Sequence, residues 1–363
     1  MACKTPIDFL CPRAYLQVRQ TAMQIAAIME IPLTQLARRH PTPVIPAEAP
    51  DRAIARAYNQ AGDAYLTYAD GDPANLFAFG GRYGYGDRTI WDLLDTRLQA
   101  LHISGAETVR ILDLGCGPGT WLRRVVTRAR QLGFRHIIAC GFDIAEDQVA
   151  RARELSHSLC DRRGVELRFE VGDICERYPE ADGSVDLCLC LCGVLNHLPA
   201  PALPGVLREV RRVTRGDFIA SVRAIGSMPT VYVGAVEDAR AFHQDNSNNR
   251  LEVEFQNGRR ICLNSHLFTA AELRAVATAH FAIKDLFGLD LFHGRFAEDT
   301  RWNSGGCPPT VPFNDALNRL EKIYCRDTAF MDRATHLVLV ATPREKARIM
   351  VSPPARRTAK QTI

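Results

Sequence analysis

One stretch limits what this chain can become more than any other: Val109-Arg-Ile-Leu-Asp-Leu-Gly-Cys-Gly-Pro-Gly-Thr-Trp121. An apolar, β-leaning run ends at Asp113. Glycines follow at Gly115, Gly117 and Gly119, and the segment from Thr120 to Arg130 has the apolar spacing of a helix. A strand that turns through glycines into a helix lets a ligand rest against bare backbone at the helix N-terminus. The fingerprint for a dinucleotide is G-x-G-x-x-G, whereas this spacing is G-x-G-x-G with Pro118 inside the turn. The loop therefore departs from the dinucleotide fingerprint.

What surrounds this turn is an alternation of β and α patterns. Strands are predicted at 109–114, 136–143, 165–171, 185–192 and 217–222, with helices from 120 to 132, 145 to 163 and 202 to 213 between them. Mostly apolar strands separated by helices predict a doubly wound, mostly parallel α/β sheet, with ligands at the carboxyl ends of its strands. After Ala224 the regularity stops. Alternating runs on either side of Asn257-Gly258 predict a hairpin over 251–263. Thr269 with Glu272 three residues on predicts a helix opened by a capping box. A strand at 282–289, a helix from Phe313 to about Phe330 and a last strand at 335–341 complete the pattern.

Composition narrows the class. Of 363 residues, 47% are apolar and 24% charged, which suits a globular domain. No apolar run reaches the length of a membrane span. The net charge of +4 is local: residues 342–363 carry six Lys/Arg and one Glu, so the remainder sums to −1. The basic residues thus form a tail, expected to be disordered, and no nucleic-acid partner is expected. The twelve cysteines include Cys188, Cys190 and Cys192, which alternate along one apolar strand and should share one side of it. That pattern lacks the C-x-x-C pairing of zinc sites and reads as buried reduced thiols, with the cytoplasm as the expected compartment and no metal. Residues 1–50 read as an N-terminal extension, with a helix expected from Ala14 to Glu30 and a linker through Pro41, Pro43, Pro46 and Pro50.

The turn at Asp113–Gly119, followed by acids at the ends of the next strands, resembles the class I S-adenosylmethionine-dependent methyltransferases, most strongly over 109–198 and in outline over 51–341. The resemblance implies a seven-stranded sheet whose last strand is antiparallel. It also implies lid insertions after the fifth strand, at about 225–267, and between the sixth and seventh, at about 291–334. It implies S-adenosyl-L-methionine as cofactor. Asp113, Gly115, Cys116, Gly117 and Gly119 would face its amino-acid end and ribose. Asp143, with Ile144, would take the ribose hydroxyls, and Asp173 with Ile174 would meet the adenine. Leu191 and Cys192 would pass near the sulfonium. Tyr58, in a segment that runs to Tyr65 and Tyr68 and resembles the helix lying over the cofactor in small-molecule methyltransferases, would cover the site. Asn59 replaces the usual acid there. Arg82, in the glycine-rich loop 77–86 ahead of a predicted helix at 89–101, would reach the cofactor's carboxylate.

The run Gly193-Val-Leu-Asn-His-Leu198 resembles the GVLHHL segment of the same enzymes, with Asn196 in place of the first His. His197 is then a candidate general base, or else a residue that packs or caps the next helix. Further candidates sit in the insertions: His266 and His293 for catalysis, and Tyr232 and Arg295, together with Asn196, for the acceptor. His243, Asp245 and Asn246 are weaker ones. After the fourth strand the Asn/Asp-Pro-Pro-Tyr/Phe signature of amino-directed DNA or glutamine methyltransferases and the Pro-Cys nucleophile of cytosine C5 attack are missing, so a small-molecule acceptor is expected. Two alternatives stay open: a cofactor-binding scaffold without turnover, and an RNA or protein methyltransferase. The sequence leaves the oligomeric state undetermined.

Overall fold

The computed structural model describes residues 54–59, 75–80, 84–160, 162–227, 239–297 and 310–344. The predicted helix at 14–30, the proline linker, Tyr65, Tyr68, Arg82, Tyr232 and the tail beyond residue 344 lie outside the described residues. Helix α1 (Gly84–Ile103) leads to β1 (Thr108–Leu114), α2 (Thr120–Leu132), β2 (His136–Asp143) and α3 (Glu146–Cys160). Next come β3 (Val165–Val171), β4 (Val185–Cys190), a single turn at Val194–His197, α4 (Leu203–Val213) and β5 (Thr214–Arg223). An inserted group of strands, β6 (Ala239–Asp245), β7 (Arg250–Phe255) and β8 (Arg260–Asn264), precedes α5 (Ala270–Thr278) and β9 (Phe281–Leu289). The short α6 (His293–Phe296), α7 (Val311–Tyr324) and β10 (His336–Pro343) close the order.

The main sheet has seven strands in the order β3-β2-β1-β4-β5-β10-β9. β1 runs parallel to β2 and β4, β2 to β3 and β4 to β5, while β10 is antiparallel to both its neighbours. The expected doubly wound sheet with an antiparallel last strand is what forms. Both faces are covered, and the strands split their side chains between two apolar clusters. Ile111, Leu187 and Leu189 pack with Leu94 of α1, Val125 of α2 and Val149 of α3. Leu112, Cys188 and Cys190 pack on the opposite side with Val206 and Val210 of α4 and Leu273 of α5. Period-two alternation in doubly buried strands produces this division, and it explains why they read as nearly continuous apolar runs.

Several boundaries shift for physical reasons. β4 stops at Cys190, two residues earlier than the pattern suggests. Cys192 takes a left-handed conformation (φ 58°) and is exposed, so it does not share the buried side of Cys188 and Cys190. α1 begins at Gly84 and not at Thr89, absorbing Gly84 and Gly86 into its first turn. A Cβ on Gly84 would fall 2.8 Å from the Phe79 carbonyl oxygen, so this helix start needs glycine for approach. α7 ends at Tyr324, and Met331–Arg333 forms a separate short turn before β10.

The first insertion is a three-stranded antiparallel sheet, one strand more than the predicted hairpin. The Asn257-Gly258 turn is where the sequence places it, with Gly258 at φ +81°. Thr269 caps α5 by accepting from Glu272 N at 3.1 Å. The Glu272 carboxylate lies 2.7 Å from His266 Nε2, so the reciprocal half of the capping box is replaced by a tie to the preceding loop. Among the described residues, no helix is long and apolar enough to cross a membrane.

Candidate functional site

The carboxyl ends of β1, β2 and β4 converge on the glycine turn. Gly115, Gly117 and Gly119 all have positive φ (70°, 50° and 78°), which wraps the backbone around the Phe142 carbonyl. That oxygen accepts from Gly115 N at 2.8 Å and Cys116 N at 3.1 Å. For Gly115 and Gly119 the missing Cβ serves the protein's own packing as well. A side chain on Gly119 would meet Phe169 Cε1 at 2.7 Å and Ala152 Cβ at 3.1 Å, and one on Gly115 would run into Val194. Cys116 turns its side chain into the core against Gly141, so only its backbone borders the turn.

α2 starts at this turn with Gly119 as its cap, a residue that has no side chain to bond the helix's first N–H groups. Thr120, the first residue of the helix, has its Oγ1 buried and without a hydrogen-bond partner among the described residues. Sequence reasoning gave Thr120 no role; its place directly after the third glycine was the available signal. An uncapped helix N-terminus with an orphaned hydroxyl suits an anionic group.

Two carboxylates stand beside it. Asp143 Oδ2 accepts from Gly117 N at 2.9 Å and its Oδ1 from Ala145 N at 2.8 Å. Both bonds favour the ionised form, but burial outweighs them and raises its pKa. Asp113, 2% exposed, is pushed up to about 7, first by burial and then by the neighbouring charge of Asp143. A pair of carboxylates sheltered from water in this way is built to receive positive charge. Gly172 N bonds the Asp143 carbonyl at 3.0 Å, which ties the tip of β3 to that of β2. Asp173 uses Oδ1 to hold Cys175 N at 2.8 Å, and Ile174 is buried in the core beside Tyr178. The sequence did not foresee these local duties.

The helical segment at 54–59 crosses this edge. The Tyr58 carbonyl accepts from Gln148 Nε2 at 2.9 Å, and Asn59 Oδ1 accepts from Asp147 N at 3.2 Å. Ile54, Ala57 and Tyr58 pack with Ile144, Ile261 and Leu263, so the segment joins the tip of β2 to the inserted sheet. The Tyr58 hydroxyl lies 3.2 Å from His197 Nε2, and His197 Nδ1 lies 2.9 Å from the Asn264 carbonyl. A carbonyl only accepts, so Nδ1 carries the hydrogen and Nε2 presents its lone pair to the phenol. Burial is the first cause holding the His197 pKa down, to about 4, and the Arg223 charge adds to it.

The turn after β4 is anchored by a residue that no motif pointed to. Ser221 of β5 accepts Cys192 N on its hydroxyl at 2.8 Å and Gly193 N on its carbonyl at 3.0 Å. A lone serine within Phe218-Ile-Ala-Ser-Val222 was the only trace of this in the sequence. Leu191 is buried in the core.

The other candidates are held elsewhere. Asn196 is fully buried; its Nδ2 donates to the carbonyls of Arg223 and His266, and its Oδ1 accepts from Arg223 N at 2.8 Å. Both amide hydrogens are spent on backbone, which makes Asn196 a clamp between the β4 turn and β5 and not an acceptor contact. Asn246 similarly clasps Leu267 through N and O. Asp245 accepts from Ser247 N and Asn248 N in the β6–β7 turn, and the neighbouring His243 lies on β6. His266 faces Asn249 Oδ1 at 2.6 Å and Glu272 at 2.7 Å, so both its nitrogens are engaged. His293 donates from Nε2 to Asn318 Oδ1 at 2.9 Å and stacks on Tyr85 with ring centres 4.1 Å apart. Arg295 is exposed and donates to the Arg333 and Gly226 carbonyls. Glu321 of α7, unforeseen, is buried and accepts from the backbone of Leu291, Phe292 and His293 at 2.8 to 3.2 Å. Among the described residues there is no cluster of three or more His, Cys, Asp or Glu able to hold a metal ion.

Comparison with known proteins places this edge in context. The family described as a methyltransferase domain matches residues 111–217. An uncharacterized 37.1 kDa protein in transposon TN4556 of Streptomyces fradiae is 39% identical over 104 residues, 29% of this chain and 26% of that protein. The malonyl-[acyl-carrier protein] O-methyltransferase of Erwinia pyrifoliae is 32% identical over 132 residues, 36% of this chain and 43% of that protein. The chain thus spans less than half the length of these curated relatives. Among solved structures, the magnesium protoporphyrin IX methyltransferase of Synechocystis PCC 6803 with bound SAM aligns at a TM-score of 0.44 and 13% identity, over 83% of this chain and 100% of that one.

Proposed function

From the premise that this chain carries a class I S-adenosylmethionine-dependent methyltransferase domain, matched at residues 111–217, we propose that it transfers a methyl group to an N, O or C atom of a small molecule. S-adenosylmethionine supplies a methyl group on positively charged sulfur, ready for in-line displacement. The observation that carries the reading is the combination at the glycine turn: an uncapped helix N-terminus with the orphaned Thr120 Oγ1, beside the buried Asp113 and the half-buried Asp143. That donor set suits a ligand with a carboxylate at one end and cationic groups along its length.

Each residue then has a physical task. The N–H groups at the start of α2 and Thr120 Oγ1 meet the carboxylate end. Asp113 meets the ammonium, and Asp143, already fixed by two backbone N–H groups, offers its remaining lone pairs to the ribose hydroxyls. Ile144 and the 54–59 segment shield this end from water. The β4 turn, pinned by Ser221, sets the position at which the acceptor must line up, and alignment with exclusion of water is most of what such a displacement asks.

Calorimetry with S-adenosylhomocysteine tests the cofactor half. Asp143→Ala should weaken binding by about tenfold or more, equivalent to about 1.4 kcal/mol. Unchanged affinity would remove the assignment. Incubation of labelled cofactor with cell extract tests the acceptor half, with label expected in the low-molecular-weight fraction. Label confined to RNA or protein would replace the small-molecule reading.

A further inference from the structure

We propose that Tyr58 is the catalytic residue that takes the acceptor's proton, that it passes its own proton to His197, and that the acceptor is a hydroxyl compound of phenol-like acidity. The inference deepens the methyl-transfer reading and rests on it. Its foundation is the line Tyr58 Oη, His197 Nε2, His197 Nδ1, Asn264 O, with separations of 3.2 Å and 2.9 Å. The Asn264 carbonyl obliges Nδ1 to keep its hydrogen, so Nε2 is the basic atom and it is turned to the phenol. A direct role for His197 would need Nε2 to face the acceptor. Nε2 faces the Tyr58 hydroxyl instead, carried by a different part of the chain, 139 residues away.

The acceptor class follows from proton matching. A carboxylic acid is ionised near neutrality and needs no base, and a neutral amine already holds a free lone pair. A phenol-like hydroxyl exchanges its proton with a tyrosine at little cost, because the two have similar acidity. The step balances. An O–CH3 bond forms at the acceptor as the S–CH3 bond breaks, the acceptor proton moves to Tyr58 Oη, and the Tyr58 proton moves to His197 Nε2. Positive charge lost at sulfur reappears on imidazole, so the site's net charge is conserved. Before transfer, burial and the nearby Arg223 charge keep His197 neutral, and they disfavour its protonated form, so the proton stays on Nε2 only in passing. Afterwards, the Nδ1–H bond to Asn264 steadies the imidazolium until solvent takes the proton.

The test uses the full chain and has a readout independent of turnover. Nitrogen-15 histidine spectra, with His197 assigned through His197→Gln, should show the neutral Nδ1–H tautomer at neutral pH, and Tyr58→Phe should move the Nε2 resonance. Labelled S-adenosylmethionine is then offered with panels of small phenols, carboxylic acids and amines. Label should enter the phenols, and Tyr58→Phe should slow that transfer by about 10²-fold or more. The double variant should be no worse than either single one, since the two residues act as a unit. An Nε2–H tautomer, label absent from the phenols, or a Tyr58→Phe enzyme of unaltered rate would each overturn the relay. If the wild-type chain fails to bind S-adenosylhomocysteine, the methyl-transfer reading itself fails, and the two failures stay distinguishable.

Discussion

Replacing Gly119 by alanine separates two reasons for a glycine that a motif cannot tell apart. Access for a ligand is one; the packing of the protein against itself is the other. At Gly119 the backbone is left-handed (φ +78°), which costs a non-glycine residue roughly 1–2 kcal/mol. The new Cβ would also stand 2.7 Å from Phe169 Cε1, 2.8 Å from its Cζ and 3.1 Å from Ala152 Cβ. Phe169 is 4% exposed and Ala152 fully buried, so neither yields cheaply, and overpacking of this kind costs about 1–3 kcal/mol. The sum is about 2–5 kcal/mol, at roughly 2–4 °C of melting temperature per kcal/mol for a domain of this size. Gly105→Ala is the internal control: it has φ +87° with nothing within 4 Å of the added Cβ, so it reports strain alone. Thermal unfolding without ligand should therefore show Gly119→Ala losing clearly more than Gly105→Ala. Trimming the obstacle with Phe169→Leu should return the packing part, giving a favourable coupling of about 1–3 kcal/mol in the double-mutant cycle. Equal losses at Gly105 and Gly119, or strict additivity with Phe169→Leu, would refute the packing explanation and leave ligand access as the reason.

The Asp113 carboxyl, raised from 3.8 to about 7 by burial and by Asp143, holds a proton in the folded chain across a window in which the unfolded chain has lost it. The folded state therefore binds more protons there, and stability falls as pH rises from about 4 to about 7, by at most about 1.4 kcal/mol per pH unit from this group. Asp113→Asn should remove that slope in urea unfolding of the ligand-free protein while weakening S-adenosylhomocysteine binding; an unchanged slope would show the carboxyl to be hydrated. Asn196→Ala should destabilise by about 2–5 kcal/mol in the same assay, because it strands buried backbone groups of Arg223 and His266. A loss below about 1 kcal/mol would return Asn196 to the acceptor side.

Local chemistry made much of this protein legible in its sequence. The strand, glycine turn and helix at 109–130 depend on nearest neighbours in the chain, and so do the Asn257-Gly258 turn and the Thr269 cap. Period-two apolar runs separated by helices oblige a doubly covered parallel sheet, and such a sheet gathers strand ends at one edge. Asp113, Asp143 and the glycines were therefore placed together by topology alone. Which side chain serves a ligand and which serves the fold was decided only in three dimensions. Asn196 looks like a substituted catalytic histidine in the run 193–198, but the backbone of Arg223 and His266 claims its amide. Glu272 looks like half of a capping box, yet His266 claims its carboxylate. Ser221, Gln148 and Glu321 carry no motif, because their partners come from strands and helices distant in sequence. The Tyr58–His197 bond spans 139 positions. A hydrogen bond is set by distance and angle between groups, and sequence spacing constrains those only within one turn or one strand. Beyond that range the packing of the elements chooses the partner.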